Sequence, residues 1–117
     1  MHPDPKTLLP LSTSVFHILI ALADGEQHGY AIMQDVATRT GGRIRLSPGT
    51  LYGAIKRLLE DGLIQEWEER PAQANDDERR RYYRLTKFGR RVARAEAARM
   101  EAVLQDARSS GLLPKTT

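Results

Sequence analysis

Ser47-Pro48 opens the stretch whose local structure is most tightly constrained by its residues. A serine hydroxyl can accept a bond from a backbone N–H left free at a helix start. Proline suits the first helical position, where its missing N–H costs nothing. Leu51, Ala54, Ile55, Leu58 and Leu59 then recur at the helix period, and Asp61-Gly62 ends the segment. At about 100° per residue, Gly49, Gly53, Lys56, Arg57 and Glu60 fall opposite that apolar stripe, with Thr50 and Tyr52 on its flanks. Glycine costs about 1 kcal/mol inside a helix, so Gly53 calls for a reason such as close approach of another surface.

That helix lies in the first of two basic blocks. From Arg39 to Leu59 there are five basic residues (Arg39, Arg43, Arg45, Lys56, Arg57) and no acid. From Arg79 to Ala95 there are eight (Arg79, Arg80, Arg81, Arg84, Lys87, Arg90, Arg91, Arg94), again with no acid. Between them, Glu60 to Glu78 carries eight acids against Arg70 alone. If the two blocks share one face they suit a polyanion; if they do not, they are a solvated surface. The net charge of +3 does not choose between these.

At 117 residues the chain fits one domain, and it has no cysteine for a disulfide, a thiolate metal site or a nucleophile. The run Val15–Ala23, which contains His17, is far short of the roughly 20 apolar residues of a membrane span. The start, Met1 to Pro5, lacks the basic stretch and apolar run of a secretory signal. The expectation is a soluble, cytoplasmic protein.

Residues 1–10 hold three prolines and read as an N-terminal arm, either extended or forming a short separate helix. Ser12 or Thr13 then caps a helix bearing Val15, Ile18, Leu19 and Leu22. Phe16, Ile20 and Ala23 make its other side apolar too, so more than one face is buried, one of them suited to a partner subunit. Asp24-Gly25 ends it. A second helix fits from about His28 to Thr38 and stops at Gly41-Gly42; the alternating Arg43–Leu46 predicts a short strand. Leu63–Arg70 and Arg79–Thr86 read as strands of a hairpin around the polar turn Pro71–Glu78. Lys87 to about Arg108 should be one long helix, and residues 109–117 a fraying tail. Its stripe of Phe88, Val92, Ala95, Met100, Val103 and Ala107 outreaches so small a domain, which suits a dimer seam.

The order describes a mainly α fold with a small β-hairpin: a winged helix-turn-helix over residues 11–86 plus a dimerisation helix over 87–108. In that fold a recognition helix enters the DNA major groove. The groove is about 12 Å wide and admits one helix, and Gly49 and Gly53 would let it sit deep. Lys56 and Arg57 can reach phosphates or guanine edges. The Ser47–Thr50 helix start offers free N–H groups and a positive dipole end to a phosphate. Arg79, Arg80 and Arg81 suit backbone or minor-groove contact from the wing.

Four ordered segments carry a family resemblance: His28-Gly29-Tyr30-Ala31-Ile32, Gly49-Thr50-Leu51-Tyr52, Leu58-Leu59-Glu60-Asp61-Gly62-Leu63-Ile64 and Arg81-Tyr82-Tyr83-Arg84-Leu85-Thr86. Over roughly residues 11–92 the sequence resembles PadR-family transcriptional regulators. The resemblance implies a homodimer on an inverted-repeat operator in double-stranded DNA, usually a repressor and often released by a small-molecule effector. It implies that Tyr30, Ser47, Gly49, Thr50, Tyr52 and Lys56 face DNA, with Arg79 to Arg81 on the wing. The short C-terminus resembles the small subgroup with one long dimerising helix. Two features depart from the pattern. Asn75-Asp76-Asp77-Glu78 makes the wing tip acidic, and the last helix offers only Phe88 where some relatives stack drugs between tryptophans.

The remaining residues of interest have ordinary readings beside their functional ones. His17 suits the core or an interface, or else a pH or effector switch. His28 at a helix start suits capping. Trp67 covers the core from the hairpin or lines an effector pocket, and Tyr52 contacts DNA or packs. Tyr82 and Tyr83 point to opposite faces of one strand, so one is core. Glu66, Glu68 and Glu69 suit a solvated strand face. No metal-ligand spacing, cofactor motif or catalytic arrangement occurs, so an enzyme is not expected. The alternative is a winged-helix protein–protein interaction module without specific DNA binding, its acidic 60–78 segment docked on a basic partner.

Overall fold

In the computed structural model of the chain, residues 2–67 and 81–115 are described. A 3-10 turn at Pro5–Leu8 precedes α1 (Thr13–Ala23), β1 (Gln27–His28), α2 (Gly29–Arg39), α3 (Pro48–Glu60), β2 (Ile64–Trp67), β3 (Tyr82–Leu85) and α4 (Lys87–Ser109). Each helix starts on a side chain that accepts from a first-turn N–H. Ser12 takes Val15 N at 3.2 Å, and His28 takes Ala31 N through Nδ1 at 3.1 Å. Ser47 takes Thr50 N at 3.1 Å, and Thr86 takes Gly89 N at 2.9 Å. Beyond α3, Gly62 at φ 76° lets its own N–H reach Leu59 O while Leu63 N reaches Leu58 O. This double bond pattern closes a helix through a left-handed residue. α4 closes the same way through Gly111, with Leu112 N on Ala107 O at 2.8 Å, where the sequence predicted fraying from Ser109.

The sheet is antiparallel in the order β1-β3-β2, with Gln27 opposite Tyr83 and Ile64 opposite Leu85. The strand expected at Arg43–Leu46 does not form. β3 is already flanked on both sides, by β2 and by the two-residue β1 that sequence reasoning missed. Residues 43–46 instead leave α2 through Gly41-Gly42, with Ile44 N held by Thr40 Oγ1 at 3.0 Å.

The core is built around α1, whose Ile18, Leu19, Ala21 and Leu22 are buried against Ile32 and Val36 of α2, Leu51, Ile55 and Leu58 of α3, and Ile64 and Tyr83 of the sheet. α4 joins this core through its first turns. Phe88 and Val92 are 3% and 0% exposed, so neither is free for the dimer seam on which the sequence put them. The cause is close docking of the helix start. A Cβ at Gly89 would lie 1.9 Å from the Leu63 carbonyl oxygen, Thr86 Oγ1 donates to Gly62 O at 2.6 Å, and the ring of His2 stacks on Phe88 at 4.3 Å.

Among the described residues one charge is buried. Glu96 of α4 is 1% exposed and accepts from Leu11 N at 2.6 Å and from Arg99 Nε, which ties the arm to α4. The Arg99 hydrogen bond holds its carboxyl below the ordinary range, the Leu11 N–H adds to this, and burial opposes them. A hydrogen bond to a charged group contributes about 1.5–3 kcal/mol. Glu96→Ala should therefore lower the urea-unfolding free energy at neutral pH by about 2 kcal/mol. The native carboxyl is the stronger acid, so its stabilisation is complete above the unfolded-state value and is lost as pH falls through the native one. The gap between wild type and variant should narrow in acid.

Candidate nucleic-acid interface

α3 presents its start to solvent. Ser47, Pro48, Gly49 and Thr50 are all exposed. Ser47 Oγ donates to Thr50 Oγ1 at 3.0 Å while accepting from Thr50 N, so the Thr50 hydroxyl proton is directed to an acceptor outside this pair. The Gly49 N–H is one of the helix-start donors with no carbonyl a turn earlier to meet it. Together with the helix dipole these groups favour an anion.

The exposed face continues bare. A Cβ at Gly49 or at Gly53 would meet nothing within 4 Å, so no packing inside the chain demands glycine at either position. Lys56 and Arg57 follow, both exposed and neither in an ion pair among the described residues. Tyr52 is 41% exposed. Its hydroxyl leans on the first residue of α2, where a Cβ on Gly29 would lie 2.6 Å from it. The packing and contact readings of Tyr52 are therefore compatible, since one edge of the ring braces α2 while the rest faces out. Tyr30, next after Gly29, is 60% exposed.

The wing cations are partly engaged. Arg81 is exposed and pairs with Glu66 at 3.1 Å, and Arg84 lies over the Trp67 ring at 4.1 Å. Arg79 and Arg80 fall outside the described residues, as do Glu68, Glu69 and the acidic segment Asn75–Glu78. Tyr83 is the buried member of the tyrosine pair; burial pushes its hydroxyl pKa up, and Glu66 adds to that. Tyr82 is half-buried and meets His28 edge to face at 5.5 Å.

The basic blocks do not act as units. Arg39 belongs to the fold, bonded at 2.7 Å to both Asp24 and Asp35. A Gln27 hydrogen bond to Asp35, with Arg39 beside it, holds that carboxyl low, while the two carboxylates raise the Arg39 guanidinium. The Asp35–Arg39 half of this network follows from i, i+4 spacing, but the Asp24 half needs the fold. Arg90 likewise serves structure by donating to Ala23 O at the end of α1, 3.2 Å away. On the second half of α4, Met100, Val103 and Leu104 are exposed and Ala107 half-exposed, while Phe16 and Ile20 of α1 are half-buried. Leu104 was missed from the sequence although it continues the i, i+3, i+4, i+7 spacing from Met100. His17 is half-buried, and Trp67 serves as a platform for Arg84.

Three core helices, a flanking sheet and a bare, cation-bearing third helix define a winged helix-turn-helix of the kind found in transcriptional regulators. Residues 18–95 match the family model described as the transcriptional regulator PadR-like family. A Mycobacterium tuberculosis transcriptional regulator is 38% identical over 90 residues, 77% of this chain and 78% of that protein. An uncharacterized 37.1 kDa protein in a Streptomyces fradiae transposon is 41% identical over 83 residues, covering 71% of this chain but only 21% of that longer protein. Among solved structures, a PadR family transcription regulator from Clostridium difficile superposes with a TM-score of 0.69 at 21% identity, covering 84% of this chain and 97% of that one. The chain belongs to the PadR-like family of transcriptional regulators, whose members are not enzymes. No helix among the described residues is long and apolar enough to cross a membrane.

Because Gly53 is helical, exposed and unconfined, Gly53→Ala should raise stability by about 1 kcal/mol in urea unfolding. A neutral or destabilising outcome would mean that the fold needs this glycine.

Proposed function

We propose that the chain is a cytoplasmic DNA-binding repressor that works as a homodimer on an inverted-repeat operator and is released by a small-molecule effector. The observation that carries this reading is the exposed face of α3. It has hydroxyl and N–H donors at its dipole-positive end, two glycines with nothing above them, and two cations with no ion-pair partner among the described residues. A helix so stripped can sit deep in a major groove, with Ser47, Gly49 and Thr50 on a phosphate and Lys56 and Arg57 on base edges or backbone. Tyr30, Tyr52 and Arg81 then flank the groove, and Arg79 and Arg80 continue the wing by sequence. Family membership supports the same reading. For the dimer, the support is the apolar ridge Met100, Val103, Leu104 and Ala107, with Phe16 and Ile20 beside the core.

The test is selection of bound duplexes from a random library at physiological salt, followed by sequencing. An enriched inverted repeat with half-sites one or two helical turns apart is expected. No enrichment, together with recovery of a stable protein complex from a pull-down, would favour the interaction-module reading. On the selected duplex, Lys56→Ala should weaken binding and flatten the fall of log affinity with log salt by about one unit per protomer. Gly53→Ala should weaken it too while stabilising the fold. Sedimentation at micromolar concentration should give a dimer; a monomer would remove the inverted-repeat geometry.

A further inference from the structure

A half-open groove of about 240 Å³ lies between the arm and the recognition helix, and of its lining only Arg57 enters the function above. Its apolar walls come from Leu8 of the arm, Leu11 directly after it, Val15 of α1, and Ala54 and Leu58 of α3. It is also lined by two opposite charges, Arg57 of α3 and Asp61 at the C-cap of that helix. Their i, i+4 spacing offers an ion pair, yet they form none, and neither is paired with any other described residue. The site is therefore an apolar groove that an exposed cation and an exposed anion also line without pairing with each other.

That combination selects a ligand by charge and size together. An anion alone would face Asp61, and a cation alone would face Arg57. A zwitterion with one apolar branch satisfies both charges and fills the pocket. The volume lies below that of most drug-sized sites and above that of a cavity that takes up benzene. We propose that this groove binds a free α-amino acid with an aliphatic or aromatic side chain. Its carboxylate lies on Arg57, its ammonium on Asp61, and its side chain between the arm and α3.

The consequence for regulation rests on the DNA-binding reading. Arg57 cannot serve a ligand carboxylate and a DNA phosphate at once, so occupancy lowers operator affinity. The arm wall is held to α4 through Glu96 and Leu11, so the ligand also joins α4 to the recognition helix.

Calorimetric titration of the full chain without DNA tests the site independently of operator binding. L-Leucine and L-phenylalanine should bind at least about tenfold more tightly than glycine, since burying such a side chain is worth a decade or more. N-acetyl-L-leucine and L-leucinamide, each lacking one charge, should lose about tenfold, as should Asp61→Asn toward leucine. Ala54→Phe, which fills the pocket from α3, should abolish binding; Leu8→Phe does the same from the arm if the first variant fails to fold. No heat with millimolar leucine or phenylalanine would overturn the proposal. So would equal affinity for glycine and leucine, or full affinity in a folded filling variant. Leucine that binds but leaves affinity for the selected operator unchanged would overturn the regulatory consequence alone.

Discussion

The contact between the start of α4 and the exit of α3 sets the rest of the molecule in place. Gly62 and Leu63 end the recognition helix and lead into β2, while Thr86 and Gly89 leave β3 and begin α4. All four meet at one point, where Thr86 bonds Gly62 O and Leu63 O occupies the space a side chain on residue 89 would need. Four elements thereby share one backbone junction that leaves no room for adjustment. From it α4 runs over α1, which brings Phe88 and Val92 into the core and Glu96 to the arm.

The same frame sorts the cations by what they can still bind. Arg39, Arg90 and Arg99 are bonded within the chain to carboxylates or a helix-end carbonyl, and Arg81 and Arg84 are engaged on the hairpin. Exposed pairs such as Arg81–Glu66 are worth about 1 kcal/mol or less, so a phosphate can displace them. Among the described residues Lys56 and Arg57 have no such pair to give up. A basic count along the sequence overstates the binding surface, because some of its cations hold the fold together.

Much of this was legible in the residues. The α3 boundaries followed from Ser47-Pro48 and Asp61-Gly62, and the apolar stripe between them needed only the helix period. Motif order was enough for the winged fold with its long last helix. What the sequence could not show lies in contacts between distant residues. β1 is two residues long and exists only because β3 offers it an edge, whereas Arg43–Leu46 alternates without an edge to join. Phe88 and Val92 fit a seam by periodicity, and only the close approach at Gly89 reveals them as core. Glu96 sits in an alanine-rich helix among arginines and gives no hint in sequence of a bond to Leu11. Of the candidate interface residues, Ser47, Gly49, Thr50, Tyr52, Lys56 and Arg57 follow one another along α3 from its cap, and Tyr30 follows Gly29, on which Tyr52 leans. Arg81 is found already paired, and Arg79 and Arg80 lie outside the described residues.

α4 anchors to the core only as far as Glu96 and runs on for about 20 Å to Ser109 at 1.5 Å per residue. In the proposed dimer that free length is a lever whose fulcrum is the core of its own subunit. Rotating it by 10° would carry its far end sideways by about 3.5 Å. In that dimer a modest change in how two such rods cross would reset the distance between two recognition helices. Geometry at the seam would then act on DNA affinity beside any competition for Arg57 itself.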